Sequence, residues 1–375
     1  MLRSTFRSLG TPAALAGLLL ALTACDQAAD TTTVAASAAE TAAAPAPATA
    51  PAAMACDRVC LIAATDAYVA AIVAHDPSQA PLAAKVAFVE NVTKKQPGEG
   101  LWQTAVSAPT PFAIHVADEI NQTAGYLAMM TRMAPPQAPQ GATSAEIAEA
   151  AKGAPIEQPV MVALRLKFDD SGKIVEAEHL LTSLREPQLV NLQTLRPGIL
   201  SEIADAQRLP HDRLIEIGTS YYPALDDNDS DLTFFAPDCE RHENGMITAS
   251  ATPAPAAAAI PGTAPTPATA RDCYGQIESG TFQYIDRIEN RRVFAADPVT
   301  GLVMGLSHFR HPMDNLPYNV TNTDGSTAER TLANFPFAPF DLPAAHIFKV
   351  GADGLMHEIE AMGFTTGYNV PTGWE

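Results

Sequence analysis

Apolar and polar positions along this chain repeat. Sliding the sequence by 153 positions lays the first half on the second without a gap over about thirty residues. Leu61 falls on Leu214, Tyr68 on Tyr221, Ile72 on Leu225, Asp76 on Asp229, and Glu90-Asn91 on Glu243-Asn244. Near the end of each half an offset of 182 lays Gly172, Glu176 and Glu178 on Gly354, Glu358 and Glu360. Agreement in apolar spacing and in polar identity predicts two copies of one folding unit. The larger second offset reflects insertions in the second copy.

In the first copy, residues 58–75 place Leu61, Ala64, Thr65, Tyr68 and Ile72 on one stripe, which predicts a helix. A strand follows over 85–92, then a helix or loop around Trp102, strands at 111–117 and 124–131, and a short helix at 144–152. Val160 to Phe168 and Ile174 to Leu181 read as a hairpin turning on Asp169-Asp170-Ser171-Gly172. The second copy predicts a helix over 211–227 and a strand over 239–248. An amphipathic helix is expected over 274–290, with Ile277, Thr281, Tyr284, Ile285 and Ile288 inward. Strands at 291–296 and 301–310 and a hairpin, His346 to Val350 with Leu355 to Met362, complete it.

The chain begins with Arg3 and Arg7 and a short apolar run, Ala13 to Leu22, which reads as an export signal rather than a membrane span. That signal ends in Leu22-Thr23-Ala24-Cys25, which resembles the lipobox of bacterial lipoproteins. The resemblance implies a signal peptide over 1–24 and a lipid on Cys25 that moors the protein to a membrane outside the cytoplasm, the inner or the outer one. Residues 25–55, rich in Ala, Pro and Thr, read as a disordered tether, and 249–270 as a disordered insert of the same kind. The folded part divides into a first domain over 56–200 and a second over 205–375, a pseudo-dimer within one chain.

Charge and cysteines narrow the possibilities. The net charge of −19 argues against nucleic acid as a partner. Cys56, Cys60, Cys239 and Cys273 allow three disulfide pairings in an exported protein. The favoured one joins Cys239 to Cys273 across the insert and Cys56 to Cys60 over a helical turn. No Cys or His set completes a metal site, and His308 and His311, three apart on a strand, face opposite ways.

The order of elements, with Tyr68, Phe88-Val89-Glu90-Asn91, Asp297 and Gly301-Leu302-Val303, resembles the NTF2-like (SnoaL-like) superfamily. The segment Cys273-Tyr274-Gly275-Gln276, Gly280-Thr281-Phe282 and Arg291-Arg292 is similar to uncharacterised SnoaL-like secreted proteins. This implies an α+β fold of two tandem cones, each a curved antiparallel sheet wrapped around helices, with a cavity at its mouth. It implies no single activity.

No phosphate loop, nucleophile elbow, dinucleotide fingerprint or metal-protease helix occurs, so no cofactor is expected. The leading expectation is cofactor-free acid–base chemistry (isomerisation, dehydration or hydrolytic ring opening) on a small apolar molecule, carried by the second copy. The alternative is a non-catalytic ligand-binding or interaction module. The candidate catalytic residues are Glu243, His308, Asp297, Arg292 and His242, with His308 paired to Glu243 or Asp297. Tyr68, Glu90, His115, Tyr222 and Tyr284 are the candidate ligand-binding residues.

Overall fold

A computed structural model describes residues 56–139, 142–252 and 271–375. The export signal, Cys25, the tether and residues 253–270 of the insert lie outside those described residues.

The first repeat runs α1 (Arg58–Val73), β1 (Leu82–Glu90), β2 (Thr93–Lys95), α2 (Leu101–Thr104), β3 (Ala113–Asp118), β4 (Thr123–Ala134), α3 (Ser144–Ala150), β5 (Ile156–Phe168) and β6 (Ile174–Ser183). The second runs α4 (His211–Asp227), β7 (Phe235–Glu243), β8 (Met246–Ala249), α5 (Cys273–Glu278), β9 (Arg287–Asp297), β10 (Leu302–His311), β11 (Tyr318–Thr321), β12 (Thr327–Arg330), β13 (Phe340–Val350), β14 (Met356–Gly363) and β15 (Thr366–Gly367). The sheet orders are β2-β1-β6-β5-β4-β3 and β8-β7-β14-β13-β10-β9, the same path twice. In each, one pair is parallel, β1 with β6 and β7 with β14, and the others on the path are antiparallel.

The expectation of cones wrapped around helices is overturned. Among the described residues strand outnumbers helix roughly two to one, and only α1 and α4 exceed seven residues. Each of these two helices lies on the outer face of one sheet, and the inner faces of the two sheets pack on each other. The layers are helix, sheet, sheet, helix. Central strands show this in their alternation. Val160, Val162 and Leu164 join the core under α1, while Met161 and Ala163 join the core between the sheets. Val303 and Phe309 face α4, and Leu302, Met304 and Leu306 face the first sheet. Strands buried on both faces read as continuous apolar runs, which is why the sequence marked them as β without revealing a second packed layer.

A second correction concerns residues 274–290. Helix α5 ends at Glu278, and Gly280 follows in the left-handed region (φ 72°), as a glycine past a helix C-terminus does. Tyr284 and Ile285 therefore sit in the connection to β9, and Arg291 and Arg292 lie within that strand rather than at a helix end. The expected strand over 239–248 is the hairpin β7–β8.

The repeated polar residues have local work in both copies. Asp76 Oδ1 accepts from the Ser78 amide, and Asp229 Oδ1 from the Asp231 amide, each opening one turn of 3-10 helix. Asn91 exchanges two hydrogen bonds with the Leu181 backbone (2.7 and 3.0 Å), and Asn244 exchanges two with Gly363 (3.0 and 3.1 Å). Both asparagines adopt positive φ, 44° and 49°. The next residue does so too, and here the copies differ. It is Val92 in one (φ 58°) and Gly245 in the other (φ 77°).

The repeats are bound to each other by a crossed pair of charge contacts. Arg58, which opens α1, donates to Asp297 at the end of β9 (2.9 Å). His211, the residue that opens α4, meets Asp118 at the end of β3 (2.7 Å). Positions 58 and 211 are related by the 153 offset, and Asp118 and Asp297 end equivalent strands. Each copy thus gives the same carboxylate and receives the other's first helical residue, the reciprocity of an isologous interface. Both carboxylates are buried.

Burial by itself would keep His211 neutral, but its bonds to Asp118 and Asp212 outweigh that and raise its pKa. A raised histidine favours the folded state in its protonated form. The contribution is complete below the unfolded value of about 6.5 and is lost as pH rises through the folded value. We therefore expect the melting temperature to fall as pH rises from about 6 toward 9, with this slope reduced in His211→Gln; equal slopes in thermal scans would contradict the pairing. The backbone difference gives a second expectation. A Cβ at Gly245 would stand 2.2 Å from the Gln188 carbonyl, so Gly245→Val lowers stability by at least about 2 kcal/mol, while Val92→Gly is tolerated in urea titration.

Candidate functional site

The outer face of each sheet carries a buried polar chain at its β1 or β7 edge. In the first repeat the Tyr68 hydroxyl meets His179 Nε2 (2.8 Å), and His179 Nδ1 meets Glu90 (3.2 Å). Glu90 also accepts from the Leu101 amide (2.9 Å). Burial opposes its charge, but these two contacts hold its pKa below the ordinary value. Trp102 packs edge-on against Tyr68, with ring centroids 5.2 Å apart, and is itself buried. The first chain is therefore enclosed by aromatic packing.

The second repeat keeps the tyrosine and the carboxylate but changes the bridge. Tyr221 and Glu243 stand at the positions of Tyr68 and Glu90, and Arg241 links them. Arg241 Nε donates to the Tyr221 hydroxyl (2.9 Å), Nη1 to Thr248 Oγ1 (2.7 Å), and Nη2 to Glu243 (2.7 Å). The bridging side chain comes from β7, where the first repeat has Phe88, rather than from the neighbouring strand, where Ala361 replaces His179.

Beside this chain lies a cavity of about 30 Å³, with Arg241, Glu243, Tyr284, Phe309, His311 and His346 among its walls. That space holds about one water. His311 stacks on Phe340 and Tyr284, with ring centroids 4.2 and 5.1 Å away. His346 lies parallel to Phe348 and tilted against Tyr221. Burial lowers the pKa of His311 to about 4, and burial together with Arg241 drives His346 well below the ordinary range. Both imidazoles are thus neutral near pH 7, and the Nδ1 of each is buried without a partner among the described residues. Tyr284 is closed in from outside by Phe335, at 5.3 Å between centroids.

The residues singled out from the sequence do not converge on one place. Glu243 and Tyr284 meet Arg241 at this cavity, with Tyr222 buried behind His346. His308 lies on the other face of β10, beside Asp341 (3.4 Å) and Arg310 (3.3 Å), because 308 and 311 are an odd number apart. It joins neither Glu243 nor Asp297. Asp297 is held by Arg58 at the junction of the repeats. Arg292 grips Glu178 of the first sheet with both terminal nitrogens (2.5 and 2.8 Å). His242 meets Glu240 (2.8 Å) on the face opposite Glu243. In the first repeat Tyr68 and Glu90 belong to the buried chain, while His115 pairs with Asp66 of α1 (2.8 Å). Both expected disulfides are present, Cys56–Cys60 and Cys239–Cys273, with Cα separations of 5.3 and 5.5 Å. Among the described residues no cluster of His, Cys, Asp and Glu is fit to hold a metal.

Alternation along a strand puts Arg241 and Glu243 on one face, but nothing in the sequence marks His346 or His311 as their neighbours. That contact depends on strands β10 and β13 pairing over their whole length, His311 opposite Phe340. Removing Arg241 strands the buried Tyr221 hydroxyl and the half-buried Glu243 carboxylate. We expect Arg241→Ala to cost about 3 kcal/mol in urea titration, and Thr248→Ala, at the rim, under about 1 kcal/mol.

No curated protein matches the chain. Residues 207–363, the second repeat, are similar to a family whose model is described as a domain of unknown function, DUF8021.

Proposed function

We propose that this is an exported binding protein whose second repeat holds a small neutral molecule that donates hydrogen bonds. The observation that carries the reading is the pair of buried, neutral imidazoles, His311 and His346, that line the same aromatic cavity as Glu243 and whose Nδ1 atoms have no partner among the described residues. Every nitrogen of the Arg241 guanidinium group that the cavity presents already donates to Tyr221, Thr248 or Glu243. Each neutral imidazole has one acceptor nitrogen and Glu243 a second carboxylate oxygen, so the wall offers acceptors and has little positive charge to spare. A phenol-like ring, with its flat face on Phe309 or Tyr284 and its hydroxyl toward an imidazole, complements it. Room for such a ring comes from outward movement of Tyr284 and Phe335.

Catalysis is the weaker reading. A general base needs a group that orients it. Neither His311 nor His346 has a carboxylate within hydrogen-bond reach, and His308, which does, is on the other side of the sheet. Two disulfides support export, since such bonds persist in oxidising compartments. Together with the lipobox at Cys25, they favour a protein tethered to the cell envelope. Among the described residues no helix is long and apolar enough to cross a membrane.

The test is a thermal shift with phenol on the full chain. Millimolar phenol is expected to raise the melting temperature, and Ala344→Phe, which fills the cavity, to abolish the rise. No shift in the unaltered protein, or an equal shift in the filled variant, refutes the assignment.

A further inference from the structure

A larger cavity, about 640 Å³, opens in the first repeat where β4 ends, between the Pro-rich stretch after that strand, α3, and the chain leaving β6. Its size falls within the range of small-molecule sites. Arg132 and Arg185 line it, with Ser183 between them in sequence, Pro135, Pro187 and Ile147 in the walls, and the exposed Glu186 as the one acidic residue of the described lining.

In a chain with 42 acidic and 23 basic residues, these are two of four described arginines without a carboxylate partner among the described residues; of the others, Arg330 donates to Thr281 and Tyr318, and Arg271 adjoins residues 253–270, outside those described. Ten other arginines pair with a carboxylate, from Arg58 at the junction to Arg310 in the second sheet. Neither Arg132 nor Arg185 has a carboxylate partner among the described residues. Arg132 Nη2 donates to Ser183 Oγ (3.0 Å), and its Nε is buried with no acceptor. Arg185 Nε donates to Gln137 Oε1 (2.9 Å), and its terminal nitrogens have no hydrogen-bond partner among the described residues. Gln137 is itself tied to Gln158 (3.2 Å). A half-buried guanidinium without a carboxylate partner keeps unmet hydrogen-bonding capacity, which an anion in the cavity would meet through the terminal nitrogens.

The place is also meaningful in the repeat. Arg132 pairs with Gln158 across β4 and β5, as His311 pairs with Phe340 across β10 and β13. Arg132 is thus the counterpart of His311, at the same end of the equivalent strand. One copy presents a neutral imidazole there and the other a free cation.

We infer that the first repeat carries a separate binding site for a small carboxylate with an apolar body, its carboxylate on Arg132 and Arg185 and its chain along Pro135, Pro187 and Ile147. Guanidinium groups suit a planar carboxylate, and the mostly apolar wall suits a hydrocarbon tail.

Titration calorimetry of the full chain with octanoate, and with octanol as the uncharged control, tests this. Octanoate is expected to bind at least tenfold more tightly than octanol, and less tightly as salt is raised. Arg132→Gln and Arg185→Gln should each weaken octanoate about tenfold and leave octanol unchanged. Ala344→Phe in the other repeat should leave octanoate binding intact, which separates this site from the one proposed above. Octanol binding as well as octanoate, no binding of octanoate, or undiminished binding in Arg185→Gln overturns the inference. Arg185 is only half-buried, so that variant remains decisive even if Arg132→Gln does not fold.

Discussion

The face shared by the two sheets is the constraint on which the rest depends. Ile114, Leu127, Met129 and Met161 from one sheet meet Leu302, Met304, Ile347 and Met362 from the other, all nearly inaccessible to water. Hydrophobic contact of this kind is strong but does not fix register. Registration comes from polar groups at its border. Arg58 holds Asp297, His211 holds Asp118, and the Thr123 hydroxyl donates to the Phe294 carbonyl (2.7 Å). Asp118 further accepts from the Ala296 amide (3.0 Å). Charges buried this way add little net stability but penalise any arrangement that leaves them unmatched.

With inner faces committed to each other, only the outer faces are free to diverge, and they have. The two copies keep a tyrosine on the helix and a glutamate at the strand end, and differ in what stands between. A histidine from β6 and a tryptophan close the first. An arginine from β7, with two histidines and the aromatic rings around them, leaves a small void in the second. The strand ends show the same divergence, Arg132 against His311. The sites proposed for the two copies accordingly call for opposite chemistry, an anion in one and a neutral donor in the other.

Much of the fold was legible in the sequence because it was written twice. Helices α1 and α4, strands β1, β3, β4, β5 and β6, and the final hairpin all lie within a few residues of their expected places. The stretch over 274–290 misled because Ile277, Thr281, Tyr284, Ile285 and Ile288 fit a helical stripe, yet after Gly280 the later ones pack from a loop and a strand. The architecture itself was hidden. A sheet covered by helices on one side and by another sheet on the other has the same apolar run as one enclosed by helices. The candidate site was half legible. Alternation on β7 separated Glu243 from His242, but the pairing of distant strands that brings His346 to Arg241 leaves no local trace, and Arg132 attracts notice only once its lack of a partner is visible.

The reciprocal grip of Arg58 and His211 matters for more than cohesion. In a dimer of identical chains held by such a face, every substitution would appear in both halves at once. Here the two halves belong to one chain and vary separately, so Trp102 closes one outer face while the other keeps a small void.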